Sequence, residues 1–161
     1  MVELQIVMGS LSDYAQVKES GMEEILNYVI DRQSYGISVC SAHRNPDELK
    51  KFVDQTIAET SIYMGIAGMA AALPGALASN SGMCRLVIGV PLDEHGVDSC
   101  LYMPPGVPVA TAGVGKTGLK QAALIACQVL AINNPNRLSE LQAYLVTVKK
   151  SAQFDIQPGE L

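Results

Sequence analysis

Short apolar runs alternate along this chain with stretches in which apolar positions return every three or four residues. The runs fall at 4–8, 36–40, 62–66, 86–90 and 107–111. Continuous apolar strands separated by helical patterns predict βαβ units and a parallel sheet buried on both faces. After the first run, Asp13 stands where a helix cap belongs, with Gln16 three residues on. Val17, Met22, Ile25, Leu26 and Val29 then recur on one face, which predicts a single helix covering the sheet. The next helix is marked more sharply. Asn45 is a cap residue, Pro46 suits the first helical position, Glu48 completes a capping box, and Leu49, Phe52, Val53, Thr56 and Ile57 form one stripe.

Helices of small residues are predicted at 70–79 and 119–130, where alanines let backbones approach closely. A last helix spans about 138–150, after the break at Asn133-Asn134-Pro135-Asn136. It carries Leu138, Leu141, Leu145 and Val148 on one side, and the tail 151–161 is expected to fray or wrap a neighbour. No repeat, linker or low-complexity tract interrupts the pattern. The reading is one domain over 1–161, of α/β class. It is a three-layer sandwich with a flavodoxin-like central parallel sheet, helices on both faces and a C-terminal helix.

Composition sharpens this picture. Charged residues make up only 17%, below the ~25% usual in soluble domains, while no apolar run approaches the ~18 residues of a membrane span. A surface so poor in charge predicts subunit contacts, hence a homo-oligomer that does not enter a membrane. Sixteen acidic and 11 basic residues give a net charge of −5. The basic residues are scattered singly, so nucleic acid is not an expected partner. The four cysteines form no CxxC pair and no secretory leader precedes them, which points to reduced thiols in the cytoplasm.

In such a sheet, ligands bind at the carboxyl ends of the strands. The first loop there, Gly9-Ser10-Leu11-Ser12-Asp13, joins a glycine turn, two hydroxyls and the unpaired amides of a helix start. That suits a phosphate, although an ordinary serine-rich cap has the same sequence. Asp13 would repel an anion and fits better as a cap or as an acceptor for ribose hydroxyls. The second loop, Ser41-Ala42-His43-Arg44-Asn45-Pro46, sets one of only two histidines beside an arginine. An imidazole can exchange a proton near neutral pH, and a guanidinium offers a planar fork for phosphate or carboxylate; the bland alternative is a histidine that only bonds a nearby carbonyl.

The third loop, from Gly65 to Gly75, holds no titratable group. It suits either backbone amides facing a flat ligand at close range or tight helix-on-sheet packing. The fourth, Gly113-Val114-Gly115-Lys116-Thr117-Gly118, matches GxGxxG, but too little chain follows for a nucleotide-binding half, so ATP and NAD are not expected. Cys40, His43, Asp93 and His95 lack metal-ligand spacing, and no metal is expected. No GxSxG elbow is present for serine hydrolysis.

Taken together, Gly9-Ser10-Leu11-Ser12-Asp13, Ser41-Ala42-His43-Arg44-Asn45-Pro46, the run from Ala67 to Gly75, and Met103-Pro104-Pro105-Gly106-Val107-Pro108-Val109-Ala110-Thr111 resemble the PurE family of purine biosynthesis. The resemblance runs over about 4–130, and its first two motifs are specific in their order and separation. It implies a cofactor-free move of a carboxylate from the exocyclic nitrogen of N5-carboxyaminoimidazole ribonucleotide to ring carbon C4, in a homo-octamer with sites shared between subunits. Carried over by motif, Ser10, Ser12, Ser41 and Arg44 hold the ribose phosphate, Asp13 the ribose hydroxyls, and His43 carries the proton. Amides near Ala67 and Gly68 fix the carboxylate or trapped CO2, Met103 and Pro104 form a wall against water, and Gly9, Ala42, Met69 and Leu73 complete the substrate site.

The chain departs from that pattern in three places. Ala72 stands where mutases of the family usually have a histidine, Met69 replaces a glycine, and the segment around Gly96-Val97-Asp98-Ser99 is shorter than usual. His95 lies in that segment, where it is a candidate second imidazole. The branch that carboxylates aminoimidazole ribonucleotide directly with CO2 also lacks the missing histidine, which makes it the runner-up, but it tends to have lysine where this chain has Arg44. Two further alternatives are a PurE-like carboxylase of a nicotinate nucleotide, which lacks the Ser-Ala-His-Arg motif, and a nucleotide-binding relative without chemistry.

Overall fold

The computed structural model describes residues 1–152. In chain order the elements are β1 (Leu4–Met8), α1 (Tyr14–Glu19), α2 (Met22–Val29), β2 (Tyr35–Val39), α3 (Pro46–Thr56), β3 (Ile62–Ala67), α4 (Leu73–Asn80), β4 (Leu86–Pro91), α5 (Val97–Leu101), β5 (Ala110–Thr111), α6 (Gly115–Ala131) and α7 (Pro135–Ala152). The five strands form one parallel sheet in the order β2-β1-β3-β4-β5. This is the flavodoxin-like arrangement that the apolar runs predict. The chain winds outward from β1 to β2, then returns to lay β3 on the other side of β1, so the crevice between the carboxyl ends of β1 and β3 is the switch point where such sheets bind ligands.

The period of two along each strand divides the core. Leu4, Ile6 and Met8 of β1, with Ile62, Met64 and Ile66 of β3 and Ile88 and Val90 of β4, face α2, α6 and α7. Val7, Tyr63 and Val87 face the other way, toward α3 and α4. On that second side Gly65 of β3 lies beside Gly89 of β4 in register. A side chain at Gly65 would come within 3.1 Å of the Pro74 backbone, and one at Gly89 within 3.2 Å of the Pro74 ring. The bare strand backbone therefore lets the first turn of α4 sit directly on the sheet. The small residues Ala122, Ala123 and Ala126 give α6 the same close approach on the opposite face.

Several boundaries differ from the sequence reading. The helix expected across 13–29 is two helices, because Gly21 adopts a left-handed φ of +76° and Ser20 Oγ takes the place of a helical partner by accepting the Met22 N–H. The capping box lies earlier than Asp13 and Gln16 suggest: Ser10 is the cap residue, and the Asp13 side chain reaches back to its N–H. Asn45 does precede α3, with Pro46 in the first turn, but makes no side-chain cap. Its N–H already donates to the Ser41 carbonyl, so Glu48 has nothing to accept there and pairs with Lys51 instead.

The helix expected from Ala70 starts at Leu73, since Met69 and Ala71 have positive φ and cannot be helical. Strand β5 keeps only two of its five expected residues; Pro108 supplies no N–H for a ladder. The acidic loop after β4 contains a short helix, α5, that periodicity did not reveal. α7 begins at Pro135, with Asn134 Oδ1 accepting the Arg137 N–H. Leu141 is buried and Leu145 packs on the core, whereas Leu138 is exposed. The tail beyond 152 lies outside the described residues. Among the described residues, no helix is long and apolar enough to cross a membrane.

Candidate active site

Three loops meet over the switch point. The turn after β1, the turn after β2 and the segment 67–73 after β3 enclose a cavity of about 430 Å³. Of the residues singled out in the sequence, Gly9, Ser10, Ser12, Asp13, Ser41, Ala42, His43, Arg44, Ala67, Gly68, Met69 and Leu73 all line it. Ala70, Ala71 and Ala72 line it as well. Gly9, Ser10, Ser41 and Arg44 also border an adjoining hollow that reaches toward Asn45 and Glu48. These four therefore stand at the junction of the two spaces, open to both.

The first turn is built by its own side chains. Ser10 Oγ accepts the Ser12 N–H at 3.4 Å and the Ser12 hydroxyl at 2.8 Å, while Asp13 Oδ2 accepts the Ser10 N–H at 2.9 Å. This reciprocal box fixes both hydroxyls at the rim of the cavity. Burial pushes the Asp13 carboxyl above its ordinary range, against the pull of the Ser10 N–H, the Ser12 hydroxyl and the Arg44 charge. In the second turn Ser41 Oγ accepts the Arg44 N–H at 3.2 Å, and the Ser41 carbonyl accepts the Asn45 N–H at 2.9 Å. The serine thereby folds the turn that sets His43 and Arg44 on the cavity, where both side chains are exposed.

The third segment is a backbone surface. Met69 and Ala71 have φ of +54° and +38°, a left-handed conformation costly for residues with a side chain. Asp93 Oδ2, from the loop after β4, accepts the Met69 N–H at 3.0 Å. The amides it receives, that of Met69 foremost, hold the Asp93 carboxyl below its ordinary range. From the sequence alone, Asp93 figures only with Cys40, His43 and His95 in a set that lacks metal-ligand spacing. The one hint was Met69 itself, standing where the resembled family has a glycine, which points to a positive φ but not to what holds it.

Met103, Pro104 and His95 are not brought to this cavity. Met103 lies against α4, where its Cε would meet a side chain at Gly75 within 2.8 Å, and His95 is exposed, its N–H donating to Asp93 Oδ1 at 3.0 Å. The GxGxxG segment packs on itself: a side chain at Gly118 would run into the Gly113 carbonyl oxygen. Lys116 there pairs with Glu19 at 2.8 Å.

Residues 3–151 match the family model described as "AIR carboxylase". The chain belongs to the AIR carboxylase family. It is similar to the N5-carboxyaminoimidazole ribonucleotide mutase of Pyrococcus abyssi, at 39% identity over 93% of this chain and 86% of that protein. It is similar also to the mutase of the same name from Escherichia coli K12, at 41% identity over 80% of this chain and 77% of that protein. Among solved structures, Treponema denticola PurE superposes with a TM-score of 0.77 over 94% of each chain; at 22% identity it speaks to the fold alone. The PurE resemblance read from the loop motifs is thus borne out as family membership, and the flavodoxin-like fold with it.

Proposed function

We propose that this AIR carboxylase family member is an N5-carboxyaminoimidazole ribonucleotide mutase, producing 4-carboxy-5-aminoimidazole ribonucleotide. The observation that carries the reading is the convergence on one cavity of His43 with Ser10, Ser12, Ser41 and Arg44. Hydroxyls, turn amides and a guanidinium form a cradle for the ribose phosphate. Asp13 accepts from the ribose hydroxyls. From that anchor the heterocycle lies over His43 and against the backbone of Gly68 and Met69.

The reaction needs two proton transfers, one to nitrogen and one from carbon. Protonation of the exocyclic nitrogen lets its bond to the carboxylate carbon break, releasing CO2; C4 attacks that carbon, and loss of the C4 proton restores the aromatic ring. A single imidazole serves both steps, giving the proton to nitrogen and later receiving one from C4. Relatives at 39% and 41% identity carry the mutase name, which favours this reading over direct carboxylation despite Ala72.

Met103 and Pro104 do not reach this cavity within one chain, and Leu101 and Tyr102 just before them are 57% and 80% exposed. A homo-octamer that brings this segment of a neighbouring chain over the cavity would keep water from the trapped CO2. The reading includes a cytoplasmic location, no cofactor, and no nucleic-acid or membrane partner. The test supplies N5-carboxyaminoimidazole ribonucleotide in one reaction, and aminoimidazole ribonucleotide with bicarbonate in another. The C4-carboxylated product is expected in the first at low enzyme. Product only in the second overturns the mutase reading in favour of direct carboxylation, and product in neither removes the enzymatic reading.

A further inference from the structure

We propose that Asp93 is a positioning residue for this reaction, clamping the turn at Gly68 and Met69 in the shape that forms one wall of the cavity. The inference rests on the mutase reading of that cavity. Asp93 itself does not line the space; it acts through the backbone of the turn.

Met69 and Ala71 hold left-handed φ without being glycines, and the Met69 side chain, 72% exposed, has no packing to keep it there. The constraint comes from the loop after β4. One oxygen of Asp93 accepts the Met69 N–H at 3.0 Å and the other accepts the His95 N–H at 3.0 Å. The second bond caps the turn Glu94–Gly96 and so fixes the carboxylate at both ends.

Two close approaches interlock the loops. A side chain at Gly68 would lie 2.8 Å from Asp93 Oδ2, so the carboxylate presses directly on the turn. At the other end, one at Gly96 would lie 2.8 Å from Ala71 Cβ and 3.1 Å from the Met69 carbonyl oxygen. Just before Asp93, the Leu92 N–H donates to the Ala67 carbonyl at 3.0 Å, which holds the two loops in step. A glycine at 69 would adopt this backbone without strain; with methionine there, the Asp93 bond supplies the bias instead.

The experiment compares wild type, Asp93→Ala, Asp93→Asn and the double variant Asp93→Ala/Met69→Gly. It measures kcat and KM for the mutase conversion and amide hydrogen exchange over 67–73, with thermal melts to confirm folding. Asp93→Ala is expected to lose roughly tenfold or more in kcat/KM and to exchange faster over 67–73. Adding Met69→Gly should recover most of the lost turnover. Asp93→Asn keeps one acceptor but turns an NH2 group toward an amide donor, so its loss should be intermediate; it carries the test if the alanine variant does not fold. Unchanged kcat/KM, unchanged exchange, or no recovery in the double variant overturns the proposal. If wild type itself fails to turn over, the mutase reading falls and the positioning role for that reaction falls with it, while faster exchange in Asp93→Ala would still establish the clamp.

Discussion

Glu3 and Arg137, 134 residues apart, meet as a two-pronged ion pair, the guanidinium donating from both terminal nitrogens to the two carboxylate oxygens. Arg137 also donates to Ser34 Oγ at 3.1 Å, so one side chain ties α7 to the amino-terminal ends of β1 and β2. The pair is mostly buried, which makes its hydrogen bonds worth more than those of an exposed ion pair.

Arg137→Ala is expected to lower stability by about 2 kcal/mol, read from urea unfolding at pH 7. The sign of the pH dependence follows from Glu3. Its hydrogen bonds to Arg137, outweighing partial burial, hold its carboxyl below the ordinary value of 4.5. Stability from this pair is therefore present above 4.5 and declines as pH falls through the lowered value. The variant should lose less stability than wild type over that acidic range, and an equal loss would count against the pair.

His43→Asn keeps a polar side chain on the cavity while removing the proton carrier. Turnover should fall roughly a hundredfold to ten-thousandfold, with product binding by calorimetry retained within a few-fold. A variant that still turns over at the wild-type rate would place the proton transfer elsewhere.

Gly118→Ala puts a methyl against the Gly113 carbonyl, a backbone atom that cannot yield as a flexible side chain can. A destabilisation of about 2 kcal/mol or more is expected, measured as a lower melting temperature. ATP and NAD should not shift the melting temperature of the wild type, because the loop's glycines serve this self-packing.

The cysteines should separate by reactivity. Burial pushes the Cys100 and Cys127 thiols up to about 11 and about 12, whereas Cys84 is exposed and Cys40 only partly covered. With a thiol-specific chromogen at pH 8, Cys84 and Cys40 should react in the native protein, and Cys100 and Cys127 only after denaturation. Four fast equivalents would contradict the buried placements.

The strand runs and the three cavity loops were legible because they depend on local chemistry: mostly apolar stretches for a doubly covered sheet, and hydroxyl, imidazole and guanidinium groups just past strand ends. The break at Gly21 was less so, since the apolar stripe from Val17 to Val29 continues across it. The Glu48 half of the capping box failed because a backbone bond to Ser41 had already used the Asn45 N–H, a contest that residue identity does not decide. Asp93 was invisible for a different reason. Its partner is the N–H of Met69, from another loop, and no spacing in the chain connects the two.

All five strands point the same way, and this polarity divides the molecule's labour. Every loop that builds the cavity leaves from one rim of the sheet, whereas Glu3, Ser34 and Arg137 fasten the opposite rim. Robustness and chemistry are consequently separable traits in this chain. Reinforcing the far edge, with tighter ionic fasteners around α7 for instance, should yield a hardier protein whose catalytic behaviour is left as it was.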